Sequence, residues 1–377
     1  MHATNQITDQ AVLQLTQTLI AMPSDSNHSN ADIADFLALQ LQQAAFDVER
    51  LEYQESDSTR KVSLVARLGE GKGGLGFFSH SDTVPGGEGW NPFEPVVENG
   101  HLIGRGSCDM KGPLAATLVA AAGIDATKLR QPLYIVVTAD EEIGFGGAKQ
   151  VVKESTLLQT NWPTYGVIAE PTRMIPVYAH KGGIQVYVTA YGRAAHTSTE
   201  KGISANFLIA PFLAEMADLL PLFRGDERFM NHEFDPPTNG FNLVISDGDC
   251  KSNVTAAKTV CTLSLRTMPN DHRDEAVALI SAKAQKCNLE VRTRGFGPFY
   301  VAPDAEIVSM ACQATGVAKP ETVPFGTEAL VYQDYLQPVI LGPGDIAQAH
   351  TLGEWIAVEQ LTQAAQVYRR LIERICL

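Results

Sequence analysis

What this chain lacks narrows its chemistry before any motif is read. It has no basic stripe: 29 Lys and Arg stand against 43 Asp and Glu, for a formal net charge of −14. That balance argues against nucleic acid or an anionic membrane as a partner. It does not by itself argue for a cationic substrate, because acidic surfaces commonly serve solubility. The six cysteines, Cys108, Cys250, Cys261, Cys287, Cys312 and Cys376, are scattered and form no Cys-x-x-Cys pair. Reduced thiols in a cytoplasmic protein are the expectation. Residues 1–6 lack the basic region of a signal peptide, and no apolar run is expected to reach the length of a membrane span. Internal repeats and low-complexity tracts are absent too. The glycine cluster at 69–74 has Gly rather than Ser or Thr after Lys72, and a strand rather than a helix is expected after it. It therefore reads as a hairpin turn, not a phosphate loop.

What is present begins with length. A chain of 377 residues, 45% apolar and 19% charged, exceeds one ordinary core and predicts two domains. Residues 133–137 form a continuous apolar, β-branched run, the pattern of a strand buried on both faces. It leads directly into Asp140-Glu141-Glu142. In open α/β sheets the functional crevice lies beyond the carboxyl ends of the strands. Three adjacent acids there either open a helix, where they suit the dipole, or hold a cation or exchange protons.

Other strand ends deliver similar residues. A strand ending near Ser79 runs into His80-Ser81-Asp82, where His80 and Asp82 share a side of the extended chain. The pair reads as a metal-bound histidine with its orienting carboxylate, or as a structural loop pair. Residues 104–112 form a glycine-punctuated loop carrying Cys108 and Asp109 before a small-residue helix, with Pro113 suited to its first turn. Asp109 is a helix cap or a ligand, and Cys108 reads as an inert buried thiol. A buried strand at 165–169 ends in Glu170-Pro171-Thr172. Several such ends converging on one sheet edge, with Asp109 added, favour a metal site.

The pattern changes after residue 180. Strands at 184–191, 241–246, 259–266 and 289–294 alternate with helices at 204–220 and 274–286. The order β-α-β-β-α-β is the ferredoxin-like split βαβ arrangement. The domain expectation is therefore 1–179 with 295–377 as one domain and 180–294 as an insertion. Elsewhere, helices are expected at 8–22, from a capping box at Ser29 and Asp32, at 304–315, from Gly326-Thr327-Glu328-Ala329, and at 358–376. A buried strand is expected at 338–341, followed by His350 in a loop.

With His80-x-Asp82, the 104–112 loop, Asp140-Glu141-Glu142, Glu170-Pro171-Thr172 and Gly342-to-His350 in that order, the chain resembles the M20 family of dinuclear zinc amidohydrolases. Within that family it looks most like the acetylornithine deacetylases, through residues 128–142, His180-Lys181-Gly182, Thr327-Glu328-Ala329, Leu341-Gly342-Pro343-Gly344 and Gln348-Ala349-His350. The resemblance implies an α/β metallohydrolase domain with a mostly parallel sheet, an inserted ferredoxin-like lid, and a cytoplasmic homodimer formed through that lid. It implies two divalent ions, Zn²⁺ or Co²⁺, one held by His80, Asp109 and Glu170, the other by Asp109, Glu142 and His350. Asp82 would orient His80, and Glu141 would be the general base. His196 would stabilise the oxyanion across a dimer, with Asn253 and Arg266 on substrate polar groups and its carboxylate. The lid residues otherwise read as loop and strand-edge positions. Glu328 is expected either to face a substrate ammonium or to point to solvent at a helix start. The implied reaction is hydrolysis of an N-acyl amino acid, N-acetylornithine foremost, as in arginine biosynthesis. The alternatives are desuccinylation of diaminopimelate, cleavage of a peptide, or a catalytically inactive binding protein. Ser264, Thr267-Met268-Pro269 and Leu352-Gly353 depart from the family pattern around substrate recognition, while Glu354 keeps an acid after His350.

Overall fold

The computed structural model describes residues 9–54, 58–269 and 272–377. Residues 1–6 and Thr8, the first position of the expected N-terminal helix, lie outside the described residues. The chain forms two compact units. One runs up to Tyr178 and resumes over Val301–Glu321 and Thr327–Leu377; the other comprises Ala179–Tyr300 and Thr322–Gly326.

The first unit is built on strands with no exposed face. Leu75–His80 and Leu133–Thr138 are buried at every position, which requires cover on both sides of the sheet. Lys111–Ala121 and Val358–Ile375 pack together as part of that cover, and the first of these is buried almost throughout. The strand order is Asp47–Gln54, Arg60–Leu68, Leu133–Thr138, Leu75–His80, Tyr165–Ile168, Gln337–Ile340, Val177–His180. The inner strands, from Leu133–Thr138 to Gln337–Ile340, are parallel, and their neighbours on either side are antiparallel. Parallel strands send their carboxyl ends to one edge, so His80, Asp140 to Glu142, Glu170 and the 342–350 loop all emerge there.

Two local expectations fail. The 69–74 segment is not a hairpin, because Leu133–Thr138 lies between the strands it joins. That inserted strand is antiparallel to Arg60–Leu68 and parallel to Leu75–His80. The glycines serve a close approach instead: Gly74 has φ +93°, and a Cβ there would lie 1.9 Å from the Pro132 carbonyl oxygen. Nor does a Ser29–Asp32 box start the second helix. It runs Ala31–Gln43 behind Asn30, whose side-chain amide is committed to the backbone of Val62.

A small sheet of Val96–Glu98, His101–Ile103 and Trp355–Ala357 was not legible in the sequence. Its strands are three residues long, too short for alternation to register. It matters because it ties the segment after His350 to the segment before Asp109.

The second unit is the β-α-β-β-α-β motif: Gly182–Tyr191, Ala205–Gly225, Asn242–Ser246, Lys258–Thr267, Arg273–Lys286 and Glu290–Phe296. Its antiparallel sheet places Gly182–Tyr191 between Lys258–Thr267 and Glu290–Phe296, with Asn242–Ser246 at one edge. The helix Ala205–Gly225 is long and apolar enough to cross a membrane by length and composition, which corrects the expectation that no run reaches that length. Here one face of it covers the sheet of the second unit. Ile209, Phe212, Met216 and Phe223 are buried against Val186, Val188, Cys261 and Leu263, while Glu215 lies in reach of Lys283 on Arg273–Lys286.

Candidate metal centre

Each residue of the centre is placed by a strand end or by a loop locked to one. His80 closes Leu75–His80, and its Nδ1 lies 2.9 Å from the backbone carbonyl of Asp82. The Asp82 carboxylate is farther, 3.6 Å from the same nitrogen. Asp82 thus engages the ring chiefly through its main chain. Its carboxylate accepts hydrogen bonds from the amides of Glu141 (3.2 Å) and Glu142 (3.3 Å) and from the Ser26 hydroxyl (2.8 Å). One residue therefore registers His80 against the acidic turn.

That turn is anchored a second time. Asp140 has φ +56°, an uncommon conformation for a residue with a side chain. Its carboxylate meets Lys61 Nζ at 2.7 Å and the Tyr53 hydroxyl at 2.5 Å. Lys61 and Asp140 are both buried. Removing one member of such a pair costs about 3–5 kcal/mol, so the turn has one stable arrangement. Asp109 precedes Lys111–Ala121, which starts hard against its own loop: a Cβ on Gly112 would lie 2.2 Å from the Ser107 carbonyl oxygen.

The donor atoms converge around Asp109. Its Oδ1 is 3.2 Å from His80 Nε2, and its Oδ2 is 3.3 Å from His350 Nε2. His80 Nε2 is also 3.5 Å from Glu170, and His350 Nε2 is 3.1 Å from Glu142. Atoms held about 2.0–2.2 Å from one tetrahedral ion lie roughly 3.3–3.6 Å from each other, close to these separations. One oxygen of Glu142 is buried with no hydrogen-bond partner, as suits a carboxylate with a cation to receive. Mixed imidazole and carboxylate donors suit Zn²⁺ or Co²⁺. Donor atoms of His80, Asp109 and Glu142, and of His80, Glu141 and Glu170, fall within 4.8 Å of one another. Proximity thus groups Glu141 with the ligand-type residues.

The electrostatics fit a cation-seeking site. Burial holds the carboxyl of Glu141 well above its ordinary range, with Glu170 and Glu142 adding to the effect. Burial and then Asp109 push Glu142 up to about 7, and burial also raises Glu170. Burial would raise Asp109 too, but its hydrogen bonds to His350 and His80 outweigh that and hold it low. The Asp109 and Glu142 carboxylates lift His350 to about 10. His80 is raised as well: burial opposes its charge, and Asp109 and Glu170 overcome it. Both histidines thus sit where the surrounding carboxylates favour positive charge, the charge that divalent ions would supply.

Glu328 corrects the solvent-facing reading of it. It does not reach solvent, being 1% exposed. Its Oε1 accepts from Thr138 Oγ1 at 2.5 Å, at the end of Leu133–Thr138, and burial pushes its carboxyl up to about 8. It is a buried acid close enough to His80, Asp82 and Glu170 to interact with them electrostatically. The helix it opens spans only Ala329–Tyr332, and the Tyr332 hydroxyl at its end donates to Glu328 Oε2 at 3.4 Å.

The lid residues differ. His196, Asn253 and Arg266 are all exposed. His196 and Asn253 are neighbours, since the amide of Thr197 donates to the Asn253 carbonyl at 3.0 Å. Arg266 is not with them. It pairs with Gly183, whereas Lys258, beside the His196 loop, pairs with Tyr191 at the other end of the same ladder.

A sequence model described as Peptidase family M20/M25/M40 matches residues 76–374. The chain belongs to this family. It is 34% identical over 376 residues to an acetylornithine deacetylase of Myxococcus xanthus, covering 95% of this chain and 96% of that one. It is 31% identical over 384 residues to an acetylornithine deacetylase of Proteus mirabilis, with 97% of each covered. The fold matches an M20 metallo-carboxypeptidase of Sulfolobus solfataricus with a TM-score of 0.75 at 16% identity, over 96% of this chain and 98% of that one. As an M20 member the protein is a metallo-amidohydrolase, a hydrolase acting on amide bonds.

Sequence reasoning missed the supports around these residues. Lys61, Tyr53 and Ser26 carry no motif and come from distant stretches of chain, while Thr138 and Arg105 lie inside motif stretches without their partners being legible there. Lys61, beside Val62, Leu64 and Val65 in the strand Arg60–Leu68, is the one signal that was available, since a buried lysine needs a partner.

Proposed function

We propose that this amidohydrolase removes the acyl group of an N-acyl amino acid, N-acetyl-L-ornithine foremost, releasing ornithine and acetate. The observation that carries the reading is Asp109, whose two carboxylate oxygens each face a different histidine at 3.2–3.3 Å. His80, Asp109 and Glu170 would hold one divalent ion, and Asp109, Glu142 and His350 the other. When bound, such a pair polarises an amide carbonyl and acidifies water. Glu141 takes the proton of the attacking water and returns it to the leaving amine; its raised carboxyl has the basicity for that exchange. The similarity to two enzymes named acetylornithine deacetylase supports the substrate. Biosynthetic use in the cytoplasm belongs to the same proposal.

The lid supports a homodimer. Lys258, where the His196 loop meets the sheet, and Arg266 lie eight residues apart on one strand, roughly 25 Å at about 3.3 Å per residue. One small substrate cannot touch both His196 and Arg266 in a single chain. A second copy bringing its His196 to the oxyanion, while Arg266 takes the substrate carboxylate, meets that requirement. Phe207 at 83% and Val244 at 62% exposure put large apolar side chains on the helix start and on the edge strand Asn242–Ser246, a surface that favours pairing.

The test is metal analysis of purified protein, then kcat/KM on N-acetylornithine, N-succinyl-diaminopimelate and dipeptides. About two ions per chain and highest turnover of N-acetylornithine are expected. A preference for succinylated substrate or for dipeptides would overturn the substrate, and turnover unaffected by chelators would overturn the metal pair.

A further inference from the structure

We infer that Glu354 is the positioning residue of the metal centre, locking the Asp109 loop to the His350 loop. This rests on the proposed metal roles of Asp109 and His350. Glu354 is fully buried and lies four positions after His350. Its Oε2 accepts from Arg105 Nη1 at 2.7 Å and from the Gly106 amide at 3.0 Å. Its Oε1 accepts from the amides of Cys108 at 2.8 Å and Asp109 at 2.9 Å. Its own backbone carbonyl accepts from the amide of Gly104 at 2.9 Å. Most of the loop from Gly104 to Asp109 is thus wrapped around one carboxylate. Gly106 adopts φ +81° in that wrapping, with a built Cβ 2.9 Å from Thr83.

The arrangement is more than a buried ion pair. The amide of Asp109 itself is held, so the direction in which its carboxylate leaves the backbone depends on Glu354. On the other side, Trp355–Ala357 follows at once and pairs with His101–Ile103. One residue therefore fixes the spacing between the Asp109 and His350 donor atoms, 3.3 Å across Oδ2 and Nε2. Partners behind a ligand tune metal affinity by roughly 10–100-fold; all four side-chain hydrogen bonds of Glu354 go to the Asp109 loop, while its backbone lies only four residues from His350.

Glu354→Gln is a sharp probe because each oxygen has two donors. Whichever way the amide is oriented, its NH₂ group faces two further N–H groups, so the loop must shift. Metal-stripped protein is titrated with Zn²⁺ against a chelator, and with Co²⁺ while the visible absorption is recorded. The expected result is a dissociation constant raised about 10–100-fold for both ions, with an altered Co²⁺ spectrum and wild-type circular dichroism. Where Glu354→Gln yields no folded protein, Arg105→Gln carries the test. It leaves the three amide bonds in place, and a smaller rise of the same sign is expected. Wild-type affinity and an unchanged Co²⁺ spectrum in the folded variant, whatever happens to its melting temperature, would overturn the positioning role. Failure of the wild-type protein itself to bind divalent ions would overturn the metal-centre reading and this inference together.

Discussion

The two units carry their candidate residues in opposite ways. In the first, His80, Asp109, Glu141, Glu142, Glu170 and His350 crowd within a few ångströms, and all but His350 and Glu142 are buried. In the second, His196, Asn253 and Arg266 are exposed, and Arg266 stands apart from the other two. A centre of the first kind is preorganised by its own scaffold: the Asp140–Lys61 pair, the Asp82 carboxylate and the Glu354 clamp act before any ligand arrives. Residues of the second kind gain a role only when another surface meets them. The contrast separates residues whose loss should abolish metal binding from those whose loss should spare it.

The largest effect should come from Asp109→Ala. Because one carboxylate serves both histidines, both ions should leave together and hydrolysis should fall to background. Atomic absorption showing one tightly held ion would break the idea that Asp109 is shared. Glu141→Ala comes next, with kcat down about 10²–10⁴-fold and two ions retained. Loss of an ion in step with activity would move Glu141 into the ligand set, where proximity alone would allow it.

On the other side of the comparison, His196→Ala should leave metal content untouched and lower kcat about 10²–10³-fold, as for other oxyanion donors. Mixing it with the Glu141→Ala protein should restore part of the activity, because one hybrid site then has both residues. Subunits that exchange without regaining activity would exclude action across a dimer.

The smallest effect concerns stability. Glu328 is held at about 8 by burial, against an ordinary value near 4.3. Between those values the folded protein keeps a proton that the unfolded chain has released, so stability falls as pH rises through that window. Below it both forms are protonated and the cost vanishes. Glu328→Gln should therefore stabilise the metal-free protein by a few kcal/mol (roughly) above pH 8, with the gain disappearing near pH 4. Denaturant melts across that range would show it, and a pH-independent difference would argue against a buried, titrating acid.

Much of the frame was legible from residues alone. Buried runs such as 133–137 mark strands because burial on both faces leaves no room for alternation. The acids and histidines at their ends were visible as candidates, because parallel topology sends every strand's carboxyl end to one edge. The β-α-β-β-α-β order of the second unit was legible for the same reason: period 2 and period 3.6 differ over six or more residues.

Pairing and support were decided only by the tertiary structure. Nothing local in 69–74 says that Leu133–Thr138 will slip between the strands it connects, since strand neighbours are chosen by packing over the whole sheet. Nothing near Glu328 shows that the chain will bury it against Thr138. Glu354 reads in sequence as one more acid after His350; its meaning comes from amides nearly 250 residues earlier in the chain. Sequence carries chemistry at strand ends because the backbone period is local. It does not carry the hydrogen bonds that aim that chemistry, because a buried carboxylate takes its partners from whatever the fold brings within 3 Å.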